Sequence, residues 1–127
     1  MAEQINYIIN AQVAGGPKVS EIRSIEVEAY DKIQVSLSKT DKDKVVNIQP
    51  PGSGLTQFLS ITTASYDKPL SYKVNDAAKV IDLNGPHIFI GVGAVGLLAS
   101  EPTKLLFTNG TDDIVIIDIL VGRDATP

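Results

Sequence analysis

The chain has 127 residues, of which 43% are apolar and 20% are charged, a composition typical of one globular domain. Its net charge of −4 gives no electrostatic attraction to nucleic acid or to an anionic membrane surface, so neither is expected as a partner. The absence of cysteine excludes disulfides, thiol catalysis and cysteine-ligated metals. The N-terminal segment lacks the basic and apolar stretches of a signal peptide.

Alternation of apolar and polar residues is the commonest pattern in the chain, and it predicts β-strands. The pattern begins at Ile5, Tyr7 and Ile9. These side chains lie within residues 1–13, which we expect to form an assembly arm that reaches a neighbouring subunit.

The alternation continues over residues 25–29 and 33–37. A helix competes over residues 20–33, but the β-branched residues and alternating glutamates favour strands. Two connections between these segments remain possible, because both keep the apolar residues on one face. One is a hairpin with a three-residue loop at 30–32, and the other is a single bent strand that keeps its phase through Asp31.

The rest of the chain also predicts short strands separated by charged or Pro/Gly-rich turns. Residues 75–79 are the exception, predicted as one helical turn with Asn75 as its cap. The predicted strands cover residues 45–48, 55–65, 70–74, 80–83, 87–92, 95–99, 104–108 and 114–121. A spacing of roughly 8–12 residues is typical of sandwiches and barrels. We therefore predict an all-β fold: one antiparallel, jelly-roll-like β-sandwich of about ten short strands over residues 1–127, with 122–127 as a loose tail.

Two short motifs match known signatures. Residues 91–96 spell G-x-G-x-x-G, but dinucleotide binding needs a following helix, and too few residues precede Pro102. These glycines are therefore predicted to permit bends or bulges. Asn109-Gly110-Thr111 matches the glycosylation sequon and is interpreted as a hairpin turn.

No constellation of residues predicts catalysis or a bound cofactor. His87 is the only histidine, and it has no neighbouring acid pair or second ligand that would build a metal site or a nucleophile relay. Residues 41–43 and 112–113 lack the spacing of a calcium loop and are interpreted as solvated turns. We expect no enzyme activity, no cofactor and no metal.

Residues 114–121 are apolar at every position except Asp118. An antiparallel strand with one solvent-exposed face should alternate apolar and polar residues, so this strand is expected to be covered on both sides. A loop, the arm or a neighbouring subunit would cover its outer face, and Asp118 would need a partner such as Arg123 or a lysine. The alternative is a fully central strand in one thick domain. The predicted oligomer interface consists of Ile5, Tyr7, Ile9, Ile114, Ile116, Asp118 and Leu120.

The C-terminal third resembles small β-sandwich proteins from the virions of tailed bacteriophages. The segments that carry the resemblance are LNGPH at 83–87, the Gly-rich apolar stretch after it, LLFTNGT at 105–111 and ILVGRD at 119–124. Such proteins decorate or cement the phage head, often as trimers. The resemblance implies a non-enzymatic homo-oligomer, with a trimer favoured, that binds the major capsid protein or another virion protein. It also implies synthesis in the host cytoplasm and a final location on the capsid surface of the virion.

A β-sandwich binding module for carbohydrate or a host receptor, such as a fibre or tail-tip domain, is the alternative. Sugar binding normally uses exposed aromatic platforms, and the chain has no tryptophan. Tyr30 and Tyr66, both at predicted turns, are the best candidates for that role.

Overall fold

The computed structural model describes residues 3–50, 55–64, 66, 69–99 and 101–124, and these form an all-β protein. The first strands are β1 (Glu3–Gln12), β2 (Lys18–Val27), β3 (Ala29–Leu37), β4 (Lys44–Asn47) and β5 (Thr56–Thr63). They are followed by β6 (Leu70–Val74), β7 (Ile81–Asp82), β8 (His87–Ile90), α1 (Val92–Val95), β9 (Lys104–Asn109) and β10 (Val115–Arg123). The prediction of an all-β fold is confirmed.

Eight of the strands form two four-stranded antiparallel sheets. The first sheet has the order β3-β10-β5-β8, and the second has the order β4-β9-β6-β7. The pairs β6–β7, β5–β8, β4–β9 and β3–β10 are nested one outside the other along the chain. This is the connectivity of a long hairpin rolled into two facing sheets, a jelly roll.

The core lies between the two sheets, where alternate residues of each strand point inward. Ile117, Ile119 and Val121 of β10 are buried there, as are Leu105 and Phe107 of β9. Because successive side chains of a strand point to opposite faces, the polar or partly exposed residues lie on the outer faces of the sheets. The alternation that predicted these strands is thus the packing pattern of the core.

β2 and β3 form one almost continuous strand, interrupted at Glu28. The backbone N–H of Glu28 donates to the carbonyl oxygen of Arg123 at 2.9 Å, and β3 then pairs with β10 along its whole length. The predicted three-residue hairpin is therefore wrong. The bent-strand alternative describes the chain, with the interruption at Glu28, but the predicted common face is wrong: Leu37 lies in the core and Ile33 packs against it, whereas Val27 lies outside it at Gly122.

Two local predictions are wrong. Residues 95–99 are not a strand, because α1 and a turn follow Gly91, whose φ of +93° bends the chain out of β8. Residues 75–79 are not a helical turn. Asn75 has a φ of +54°, and its side-chain oxygen accepts hydrogen bonds from the backbone N–H groups of Thr103 and Lys104. The side chain of Asn75 thus connects the turn after β6 to the start of β9 instead of capping a helix.

The first three residues of the predicted loose tail are part of the body. Gly122 and Arg123 belong to β10, and the N–H of Asp124 donates to the carbonyl oxygen of Leu55 at 2.9 Å. The remaining positions, 125–127, lie outside the described residues.

Candidate functional site

The N-terminal arm, residues 3–27, is a separate two-stranded sheet made of β1 and β2. The strands pair in antiparallel register over ten residues each, from Glu3↔Val27 to Gln12↔Lys18. At about 3.4 Å per residue the hairpin is roughly 30 Å long. Gly15, with a φ of +72°, lies in the turn at its tip. The expected arm over residues 1–13 is thus one half of a hairpin.

The base of the arm rests on the outer face of the first sheet. A Cβ added at Gly122 would lie 2.6 Å from Cδ1 of Ile5 and 2.9 Å from Cγ1 of Val27, so both side chains contact the bare backbone there. Val27 and Phe58 are buried but do not belong to the core between the sheets. They form a small apolar cluster beneath the arm base, which fixes the arm to the body.

Beyond its base the arm exposes apolar side chains to solvent. Ile8 and Ile22 lie opposite each other in the hairpin and are 67% and 71% exposed. Val13, Val19 and, to a smaller extent, Ile9 are exposed as well. A two-stranded hairpin is at best marginally stable in water without a covered apolar face, and clustered exposed apolar residues mark interaction sites.

The two faces of the arm differ in composition. The odd face contains the odd-numbered residues, including Tyr7 opposite Arg23 and Ile9 opposite Glu21. The even face is polar apart from Ile8 and Ile22. Ser20 and Asn10, for example, are joined there by a side-chain hydrogen bond of 2.8 Å.

The predicted interface residues fall into two groups. Ile5, Tyr7 and Ile9 share the odd face of the arm. Ile116, Asp118 and Leu120 share the outer face of the first sheet, and Ile114 precedes β10 and is exposed. Within one chain the structure brings only the nearest members of these groups together, since Ile5 and Leu120 line one shallow cavity between arm and sheet.

The outer face of β10 is partly covered, and the partner of Asp118 differs from the prediction. The side-chain amide of Gln34 on β3 donates to Oδ1 of Asp118 at 3.0 Å. Arg123, which was expected to pair with Asp118, instead contacts Asp31 at 2.7 Å. The prediction of a cationic partner is therefore wrong within a single chain, because the strand register places Gln34 and not a cation opposite Asp118.

His87 and Tyr72 link the two sheets inside the body. The Tyr72 hydroxyl lies 2.7 Å from Nδ1 of His87 and donates to it in the neutral tautomer that carries its proton on Nε2. Burial raises the pKa of Tyr72 well above its usual range and lowers the pKa of His87 below its usual 6.5. Both shifts favour the neutral groups, so this contact is a structural clamp between a phenol and an imidazole.

The other sequence motifs have structural roles. The helix after Gly91 has four residues, too short for the phosphate-binding helix of a dinucleotide site. Val95 on α1 is buried in the core, so the glycine-rich segment turns the chain and closes one end of the sandwich.

The Asn109-Gly110 segment joins the two sheets and is not a hairpin turn. Asn109 is 1% exposed. Its amide nitrogen donates to the carbonyl oxygens of Ser38 and Asp113, and its oxygen accepts from the N–H and hydroxyl of Thr111. The side chain of Asn109 therefore shapes this turn, with no left-handed φ at Asn109 or Gly110.

Neither a metal centre nor a membrane-spanning helix is present in the described ranges. Within residues 3–50, 55–64, 66, 69–99 and 101–124, no three acidic or histidine side chains gather as a metal site would require. Across the same ranges no helix has the length and apolar character of a membrane crossing. Asp43 and Asp41, which were interpreted as turn residues, pair with Lys73 at 3.5 Å and Lys44 at 3.9 Å.

Comparison with known proteins gave no relative. A scan of protein-family models, a search of curated proteins and a search of solved structures each found no match to this chain. The arm and the outer face of the first sheet are therefore the features that bear on function.

Only the end of the second strand of the arm, from residue 25 onward, was predicted from the sequence, and it was not assigned to an arm. Ile22 and Val19 were left out of the predicted interface, although they are among the most exposed apolar residues. A usable signal was present, because Gly15-Gly16-Pro17 separates two alternating segments, which is a typical hairpin pattern.

Proposed function

We propose that this protein is a non-enzymatic structural subunit that assembles with copies of itself through its N-terminal arm. The exposed apolar residues along the arm are the observation that carries the proposal. In its specific form, which follows the sequence resemblance, the protein is a decoration or cement protein of a tailed-phage head. It oligomerises, most simply as a trimer, and binds the major capsid protein or another protein of the shell.

The energetics of the arm favour assembly over a free monomer. Burial of one isoleucine side chain stabilises a contact by about 1.5–3 kcal/mol, and Ile8 and Ile22 alone expose most of their surface. The arm is attached to the body by a small cluster around Val27 and Gly122, and its distal apolar side chains Ile8 and Ile22 stay exposed among the described residues. A second protein surface would cover them.

The fold is shared by both functional classes. Jelly rolls occur in viral shell proteins and also in lectins, so the fold does not decide between them. The side chains favour assembly. Tyr66 packs against the core, and its hydroxyl accepts the N–H of Thr63 at 3.1 Å, whereas an aromatic platform for sugar needs an exposed ring. Tyr30 is exposed, but one tyrosine is a weaker argument than the arm.

The solution mass tests the assembly proposal. We expect light scattering on a sizing column to give a multiple of 13.5 kDa that persists on dilution. The double variant Ile9→Thr/Val19→Thr keeps β propensity but removes exposed apolar surface from the odd face of the arm, and it should shift the mass toward the monomer. A wild-type chain that is monomeric across the dilution series would overturn the proposal.

A matched variant controls for a general effect of surface polarity. Val45 and Val80 are exposed apolar residues on the body, and Val45→Thr/Val80→Thr should leave the mass unchanged. Circular dichroism should show the same strand content in all three proteins.

Binding to a shell is tested separately. We expect the wild-type protein to co-sediment with empty tailed-phage heads that carry no decoration protein. The arm variant should co-sediment at least tenfold less. If the wild-type protein assembles but does not pellet with heads, the cement role is wrong and the assembly role stands.

A further inference from the structure

The outer face of the first sheet has a region that its own arm leaves open. Ile116 and Ile88 on this face are 41% and 47% exposed. On the same face lies a shallow groove whose lining includes Lys32, Asp118 and Leu120. The arm base covers the adjoining end of the same face at Gly122, so this surface already accepts the odd face of an arm at one end.

The charges on the groove remain available for a partner. Asp118 is half-buried and has the neutral amide of Gln34 as its hydrogen-bond donor. In the described part of the chain, Lys32 has no acidic group within salt-bridge distance. Because a half-buried carboxylate is stabilised more by a cation than by an amide, the groove favours a ligand with one positive and one negative group.

The odd face of the arm carries that combination. Arg23 and Glu21 project from this face beside Tyr7 and Ile9, and the two charged side chains contact each other in the free arm. They are two residues apart on β2, a separation of about 7 Å. Lys32 and Asp118 are diagonal neighbours on β3 and β10, which places them about 7–8 Å apart. The spacings therefore match.

We propose that the odd face of the arm of one copy docks on this groove of a second copy, with Arg23 against Asp118 and Glu21 against Lys32. This inference rests on the proposed assembly function and names its partner surface. Tyr7 and Ile9 then cover the apolar residues of the outer face, Leu120 and Ile116, while Ile8 and Ile22 lie on the even face and stay outside this contact. The arm's internal ion pair is replaced by two pairs between subunits.

The contact is head-to-tail, since each copy gives an arm and receives one. A heterologous contact of this kind closes into a ring when the rotation between copies is favourable. The arm of the same chain does not fill its own groove, because Arg23 is largely exposed and is paired with Glu21. A second copy therefore completes the surface that the first leaves open.

Charge reversal tests the contact. Arg23→Glu places like charges together at the groove, and so does Asp118→Arg. Each single variant should weaken assembly at least tenfold in a dilution series followed by light scattering, because like charges at an interface are strongly unfavourable. The double variant Arg23→Glu/Asp118→Arg should restore assembly. An equimolar mixture of the two single variants should associate more strongly than either variant alone, since a contact between unlike variants pairs opposite charges; in a ring of three subunits one contact of the three stays unfavourable.

Controls separate this inference from the assembly proposal. Lys39→Glu and Asp112→Arg reverse exposed charges elsewhere on the body and should leave the mass unchanged, and circular dichroism should show that every variant is folded. A monomeric wild-type protein overturns both proposals. A wild-type assembly that Arg23→Glu and Asp118→Arg do not weaken, or that the double variant fails to restore, overturns the docking site alone.

Discussion

The jelly-roll body and the N-terminal arm are built from strands of the same kind, but they bury their apolar residues differently. In the body each strand turns one face toward the opposite sheet, and residues such as Phe107 and Ile117 are fully enclosed. In the arm two strands satisfy each other's backbone hydrogen bonds, and Ile8 and Ile22 remain in solvent. Backbone hydrogen bonds between β1 and β2 therefore define the arm, whereas an apolar surface of another molecule is needed to stabilise it.

The largest expected difference between the two regions comes from truncating one apolar side chain to alanine in each. Phe107→Ala should lower the free energy of unfolding by about 3–5 kcal/mol, because it opens a cavity beside Tyr72 in the core. Ile22→Ala in the arm should change it by no more than about 0.5 kcal/mol. Denaturant unfolding of dilute protein measures both values. A large loss from Ile22→Ala would show that the arm is part of the cooperative unit of the body.

The buried turn at Asn109 gives the next largest effect. Asn109→Ala should cost about 2–3 kcal/mol, because the carbonyl and N–H groups now bonded to its side chain lose their partner while buried. Thermal unfolding measures the loss. Asn10→Ala removes a side-chain hydrogen bond in the exposed arm and should be nearly neutral. Equal effects at the two sites would contradict the distinction between body and arm.

The junction of arm and body is tested at Gly122. Gly122→Ala should cost about 1 kcal/mol, because the added methyl group overlaps Ile5 and Val27 and must displace the arm base. Amide hydrogen exchange should then become faster in β1 and β2 but not in β9. Gly93→Ala, where a Cβ meets nothing within 4 Å, is the control, and the same exchange pattern there would argue against an effect specific to the junction.

The smallest effect is the pH dependence of the body. Burial lowers the pKa of His87 below 6.5, so the unfolded chain takes up the proton first as pH falls. The contribution of His87 to stability is complete above about pH 6.5 and declines as the pH falls through this value toward the lower pKa of the folded state. The lone histidine should titrate below 6.5 by NMR. His87→Asn should flatten this part of the stability profile, and a ring that titrates at or above 6.5 would contradict the buried clamp with Tyr72.

The alternation of apolar residues predicted most of the body, and the reason is physical. Each strand has one face in a common core, so the period of two at Leu70, Tyr72 and Val74 reflects a local requirement. Residues 95–99 were misassigned because a short apolar segment fits a strand and a buried helical turn equally well. The backbone at Gly91 decides between them through its positive φ.

The candidate site was less accessible to sequence reasoning because it depends on long-range pairing. Gln34 and Asp118 are 84 residues apart, and no local pattern places an amide opposite that acid. The apolar character of residues 114–121 did indicate a strand whose outer face needs cover. It did not show that an arm covers one end at Gly122 and leaves Ile116 open.

The nested strand order has a consequence for how the chain is made. β3 pairs with β10, so Leu37 meets Val115 and Ala29 meets Arg123. The first strand of the body therefore cannot find its partner until β10 has left the ribosome, and contacts of such wide sequence separation form slowly. The hairpin of β1 and β2 closes from its own local turn and is free to form early. During synthesis the arm thus forms transiently as an apolar hairpin on an unfolded body, and crowded nascent chains are at risk of pairing through their arms before any sandwich exists.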